Sequence, residues 1–177
     1  MTEANATPSR SRRVELRVRE RIPASVADVV DDVVDRLGRL EADGEIAELQ
    51  VSTWSRRCGT DAVASVDTSV AAAVAEFRSW ADRNGYTLRP AFDRRDVSSM
   101  VARTSRSELV VPMICLAVYE DDDLQCVAPC SDGDDVFTAA DCLAALESDA
   151  SDPIEVPFEN DGAADDVDAA ERERASA

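Results

Sequence analysis

Four cysteines crowd into one part of the chain, Cys115, Cys126, Cys130 and Cys142, with the spacing C-x10-C-x3-C-x11-C. Thiolates ligate soft metals and exchange with disulfides, provided a partner is within reach. Counting back from an acidic turn at Glu120–Asp123, Cys126 is expected opposite Ala117. Cys115 would then be its diagonal neighbour on the same sheet face. A thiol-based metal or redox module using Cys115, Cys126, Cys130 and Cys142 is therefore one functional reading. The plainer rival is that a free cysteine is a small apolar side chain suited to a strand core. Zinc sites also favour tighter C-x2-C pairs. The weight falls on buried structural thiols, so no metal site is assigned and no cofactor is expected. Five cysteines without a dense, regular spacing fit reduced thiols better than a disulfide framework.

Arginine is the second chemically able residue. All 19 basic residues are Arg; Lys and His are absent. Without His there is no imidazole general base, no Ser-His-Asp triad, no Cys-His pair and no His-ligated zinc. Without Lys there is no Schiff base and no Walker A lysine. No GxGxxG pattern occurs. These exclusions point to a non-enzymatic protein. What remains is Arg56 and Arg57 in one loop, and Arg94, Arg95, Arg103 and Arg106 in the polar stretch DRRDVSSMVARTSRS at 93–107. Guanidinium groups clamp phosphates and read guanine edges, so these six are the candidate nucleic-acid-binding residues. Against this stands simple pairing with nearby acids, and no aromatic residues interleave to form a stacking platform.

The charge is unevenly placed. Residues 1–107 carry 17 Arg and 17 acids, while 108–177 carry 2 Arg and 20 acids, so the whole net charge of −18 lies in the second part. An acidic, lysine-free composition resembles that of cytoplasmic proteins from salt-in halophiles. In molar salt the Debye length is about 3 Å, and like charges repel little. The charge then acts first as a solubility device. The acidic turns at Glu120–Asp123 and Asp132–Asp135 do not match the EF-hand spacing and are read as solvated turns.

The elements that must hold these residues follow from periodicity. Residues 1–12 are expected to be a disordered arm. Val14, Leu16 and Val18 alternate with Glu15, Arg17 and Arg19 as a half-buried strand. Ser25-Val-Ala-Asp28 reads as a capping box for a helix with Val26, Val29, Val30, Val33, Leu37 and Leu40 on one face, stopped at Asp43-Gly44. A second strand centres on Leu49, Val51 and Thr53, completing a βαβ unit. A second helix from about 68 to Asn84-Gly85 buries Val70, Ala73, Val74, Phe77, Trp80 and Ala81. Tyr86, Leu88 and Phe92 read as a third strand pushed to an edge by Pro90. Segment 93–107 reads as an exposed loop or hairpin arm. Leu109–Tyr119 is apolar at almost every position and reads as a central strand, with Pro112 marking a bulge or an unpaired start. At 11 residues it is too short to cross a bilayer. Leu124–Ala128 returns as its hairpin partner, and Thr138-Ala-Ala-Asp141 is a second capping box. Residues 149–177 hold ten acids and two Arg, a composition expected to stay disordered.

The expected architecture is one α+β domain over 13–148. It is a two-layer sandwich, with a mixed sheet of about five strands, two long helices on one face and a short C-terminal helix. No apolar stretch follows the Arg cluster at the N-terminus, so no secretory signal is read and the expected location is cytoplasmic.

The segments VELRVRER, LQVSTWSRRC, FRSWADRNGY, ELVVPMICLAVYEDDDLQCVAPCSDGD and FTAADCLAAL are similar to those of a family of small acidic haloarchaeal helix-turn-helix domain proteins of unassigned function. The similarity spans roughly 13–147, and the last two segments are the most specific. It implies a DNA-binding or transcription-regulatory role with DNA as partner. It carries no catalytic residues. The alternatives are the thiol module and a protein-interaction domain, the latter binding another protein or a second copy of the chain.

Overall fold

The computed structural model describes residues 11–55, 57–59, 68–99 and 104–148, without the side chains of 57–59, 68, 97–99 and 104–107. The N-terminal arm through residue 10 and the acidic tail lie outside it. The described chain is mixed α+β. Its elements in order are β1 (Arg12–Arg19), α1 (Ala24–Ala42), β2 (Glu48–Trp54), β3 (Arg57–Gly59), α2 (Thr68–Asn84), β4 (Asp93–Ser99), β5 (Thr104–Val110), β6 (Ile114–Glu120), β7 (Asp123–Ala128), β8 (Cys130–Ser131), β9 (Val136–Phe137) and α3 (Ala139–Glu147).

The strands form three sheets rather than one of five. A four-stranded sheet has the order β2-β1-β6-β7, a three-stranded sheet the order β3-β5-β4, and β8 pairs with β9. β1 and β2 are parallel, as the βαβ reading requires, while β1–β6 and β6–β7 are antiparallel. The apolar run read as one central strand serves two sheets. Leu109 and Val110 end β5, and the chain turns through Val111-Pro112-Met113 before β6 starts. Proline has no N–H for a ladder. The carbonyls exposed by this break are all taken up. The Met113 carbonyl accepts from the Arg19 amide at 2.9 Å, Pro112 from the Trp54 indole at 3.1 Å, and Val111 from the Arg19 guanidinium. Breaking the strand therefore leaves no orphaned backbone oxygen there, which is what permits it.

Alternation sorts the side chains of the four-stranded sheet. Val14, Leu16 and Val18 are buried and lie opposite Val118, Leu116 and Ile114. That face meets α3, because Cys126, opposite Val118, touches Cys142. α1 packs beside α3 and β2 with Val33, Leu37 and Leu40 buried. The other face carries Arg13, Glu15 and Arg17, opposite Tyr119, Ala117 and Cys115. It looks toward α2, whose Glu76 acts electrostatically on Tyr119. Phe77 of α2 meets Phe92 edge-on, and Phe92 meets Trp54 at the end of β2. The two long helices therefore do not share one face. α2 packs on β7 of this sheet.

Local signals are realised in part. Gly44 and Gly85 have φ of +80 and +78, the left-handed stops expected after α1 and α2. Thr138 and Asp141 make the expected capping box, with Thr138 N donating to Asp141 Oδ2 at 2.7 Å. The box at Ser25 does not form. α1 begins one residue earlier, its N-cap is Pro23, and no side chain caps it. Pro23 sits at the N-cap in extended backbone, and its carbonyl accepts from the Val26 and Ala27 amides. Tyr86–Phe92 is not a strand. It makes one bridge, Thr87 to Ser131, and then turns, with Phe92 N donating to Leu88 O. Segment 93–107 takes the hairpin form, β4 against β5.

Candidate nucleic-acid interface and thiol cluster

The six candidate arginines map mainly onto the three-stranded sheet. β5 is its central strand. Arg57 on β3 and Asp93 on β4 both stand beside Val110, Arg94 beside Leu109, Arg95 beside Glu108, and Arg106 across from Val97. Register thus brings Arg57, Arg94, Arg95 and Arg106 onto one small sheet. Arg57, Arg95 and Arg106 hold positions of one parity and Arg94 the other. Arg94 and Arg95 are exposed, and Arg95 has an ion pair with Asp93 at 3.6 Å. Arg56 and Arg103 lie outside the described residues. Leu109 and Glu108, in the middle of the sheet, are buried.

The sheet is anchored through Phe92, which is 1% exposed where the chain enters β4. Trp80 stacks on Tyr86 at 5.3 Å between ring centroids, and Tyr86 meets Phe137 edge-on. Beside this anchor, Arg78 of α2 and Arg89 join Arg94 around a cavity of about 360 Å³. Neither Arg78 nor Arg89 stands out in the sequence. Arg89 lies on the turn four residues before β4, while Arg78 is distant in sequence and comes near β4 through the packing of α2 against that turn.

The cysteines converge differently from the expectation. Val118 pairs with Cys126 but Tyr119 with Leu124, so Gln125 is the extra residue of a β-bulge. Its carbonyl accepts the Trp80 indole N–H at 3.0 Å. The bulge moves the register by one. Cys126 faces Val118, not Ala117, and so lies on the opposite sheet face from Cys115. Its real neighbour is Cys142 on α3, with the two sulfurs 3.4 Å apart. Cys115, Cys126, Cys130 and Cys142 are all buried free thiols. Burial pushes Cys130 up to about 12 and raises Cys115 further, with smaller contributions from neighbouring thiols and acids. Cys115 and Cys130 therefore stay protonated at neutral pH. Among the described residues no three Cys, Asp or Glu side chains stand where they could hold a metal ion.

The acidic turns do backbone work. Asp121 and Asp122 adopt φ of +50 and +71, the pattern of a type I′ hairpin turn, and Asp121 Oδ1 accepts from Ser11 N at 3.3 Å. Asp132 Oδ1 accepts from Asp135 N at 3.1 Å. Among the described residues no helix is long and apolar enough to cross a membrane.

No curated protein and no solved structure matches the chain. A family model described as a helix-turn-helix domain matches residues 6–151. The described elements show no two consecutive helices joined by a short turn. β2 and β3 stand between α1 and α2, and six strands stand between α2 and α3. The match spans all three helices and every sheet, and the chain belongs to this helix-turn-helix domain family.

Proposed function

We propose that the chain is a non-enzymatic, DNA-binding regulatory domain that reaches nucleic acid through the β4–β5 hairpin. The observation that carries this reading is a seven-residue antiparallel ribbon bearing exposed Arg94 and Arg95, within a chain of net charge −18. Beyond the reach of β3 the pairing of 96–99 with 104–107 is two-stranded, and a two-stranded ribbon fits the major groove of B-DNA. Arg94, Arg95, Arg103 and Arg106 contact phosphates and base edges, Arg57 extends the surface along β3, and Arg56 joins this set as its neighbour in sequence. The family description supports the DNA partner. The protein works in the cytoplasm of a high-salt haloarchaeal cell, where only a dense arginine set outlasts counterion competition.

Fluorescence anisotropy with duplex DNA, at several salt concentrations up to molar, tests this. Changing Arg94, Arg95, Arg103 and Arg106 to Ser should lower affinity and reduce the salt slope by about 0.9 for each phosphate no longer neutralised. Failure of the intact protein to bind any DNA would sink the reading.

A thiol redox role is the second reading, and the 3.4 Å approach of Cys126 to Cys142 favours it. The disulfide would join Cys126 to Cys142, with two electrons passing to an added oxidant. Mass spectrometry after mild oxidation that finds only reduced thiols removes this reading.

A further inference from the structure

Arg78, Arg89 and Arg94 ring the cavity between α2 and the start of β4. Several arginines elsewhere are matched by acids. Arg12 pairs with Glu120, Arg13 and Arg17 with Glu15, and Arg36 with Glu147. Among the described residues, none forms an ion pair with Arg78, Arg89 or Arg94. Acids are abundant, so their absence here is not a matter of supply. Asp82 alone lines the cavity with a carboxylate, which leaves an excess of two positive charges. Arg78 is also half-buried, and a guanidinium partly removed from water without a counter-ion is costly.

The cavity wall is mostly polar, and the apolar residues beneath it are buried. Leu88 and Phe92 are 5% and 1% exposed. The turn carrying them is held by the paired hydrogen bonds of Thr87 and Ser131 at 2.7 and 2.9 Å. A concave site with a few convergent charges can take a small anion, and about 360 Å³ is adequate for one. Three guanidinium forks match the oxygens of a phosphate.

We propose that this cavity binds a phosphate monoester. Arg78 and Arg89 hold the phosphate, and Arg94 links the site to the hairpin. The site does not depend on the DNA reading, because Arg78 and Arg89 lie outside the arginine set assigned to DNA. Isothermal titration of the full chain with adenosine 5′-monophosphate, at fixed ionic strength, tests it. One molecule should bind per chain, and R78Q with R89Q should weaken binding by about tenfold or more. R39Q, on α1 and away from the cavity, should leave it unchanged. Unaltered near-ultraviolet circular dichroism shows that the variants fold. Absence of binding at millimolar nucleotide, or equal binding by the R78Q/R89Q protein, overturns the proposal.

Discussion

On β1, Arg13 and Arg17 flank the buried Glu15, and Arg12 reaches Glu120 at 3.1 Å. Around the α2–β4 cavity, Arg78, Arg89 and Arg94 have no such partners among the described residues, although acids outnumber bases almost two to one. The β1 arginines also lie over aromatic rings, Arg13 at 4.1 Å from the Tyr119 centroid and Arg17 at 6.0 Å from that of Trp54. A guanidinium against a sheet face must be neutralised by its own chain if the fold is to close. One at the rim of an open cavity is left for something else. The comparison separates arginines paired within the fold from the arginines proposed to face a ligand, a distinction that net charge alone conceals.

The largest expected effect lies on the dry side of that comparison. With Cys130 pushed up to about 12 by burial, its thiolate fraction at pH 8 falls about a thousandfold below that of an ordinary thiol. Alkylation by iodoacetamide, followed by mass spectrometry, should be slow in the native protein and fast in denaturant. The folded pKa is raised, so this contribution to stability is full below pH 9 and is lost as pH rises toward about 12. Rapid native labelling of Cys130 would show that the core opens freely.

Next comes Glu15→Gln, which strands two arginines against the sheet. Urea denaturation should show a loss of about 3 kcal/mol. A loss below about 0.5 kcal/mol would break the distinction between the two arginine sets. Smaller again is Arg36→Gln. Arg36 grips Glu147 with bonds of 2.8 and 2.5 Å and adds Asp32 at 3.4 Å, tying α1 to α3 near the surface. Solvent screening holds the cost to about 1 kcal/mol or less. The hydrogen bond from Arg36 lowers the Glu147 pKa, so the pair's contribution is present at neutral pH. It should fade as pH falls through the acid range. Smallest is Arg94→Gln, which should shift stability by no more than about 0.5 kcal/mol while altering ligand binding. A large stability loss there would place Arg94 with the fold-holding set.

Much of this was legible in the chain because its physics is local. The alternation of Val14, Leu16 and Val18, the glycines at 44 and 85, and the Thr138–Asp141 box depend on residues within a few positions of one another. Ser25 shows the limit even there. It had the right neighbours, but the N-cap is Pro23, two positions earlier. The candidate interface was half legible. The Arg94–Arg106 segment stands out by composition, but its division into β4 and β5 and the addition of β3 need long-range pairing.

The sequence by itself determined the helices, strands β1, β2 and β7 and the apolar run containing β6, the exclusion of His and Lys chemistry, and the concentration of arginine before that run. Only the tertiary structure decided that this run splits at Pro112 between two sheets and that the bulge at Gln125 puts Cys126 against Cys142. It alone also gathered Arg78, Arg89 and Arg94 around one cavity. Each of these depends on which distant groups satisfy a given carbonyl, sulfur or charge. That choice is made by packing, where one residue of register moves a side chain to the opposite face.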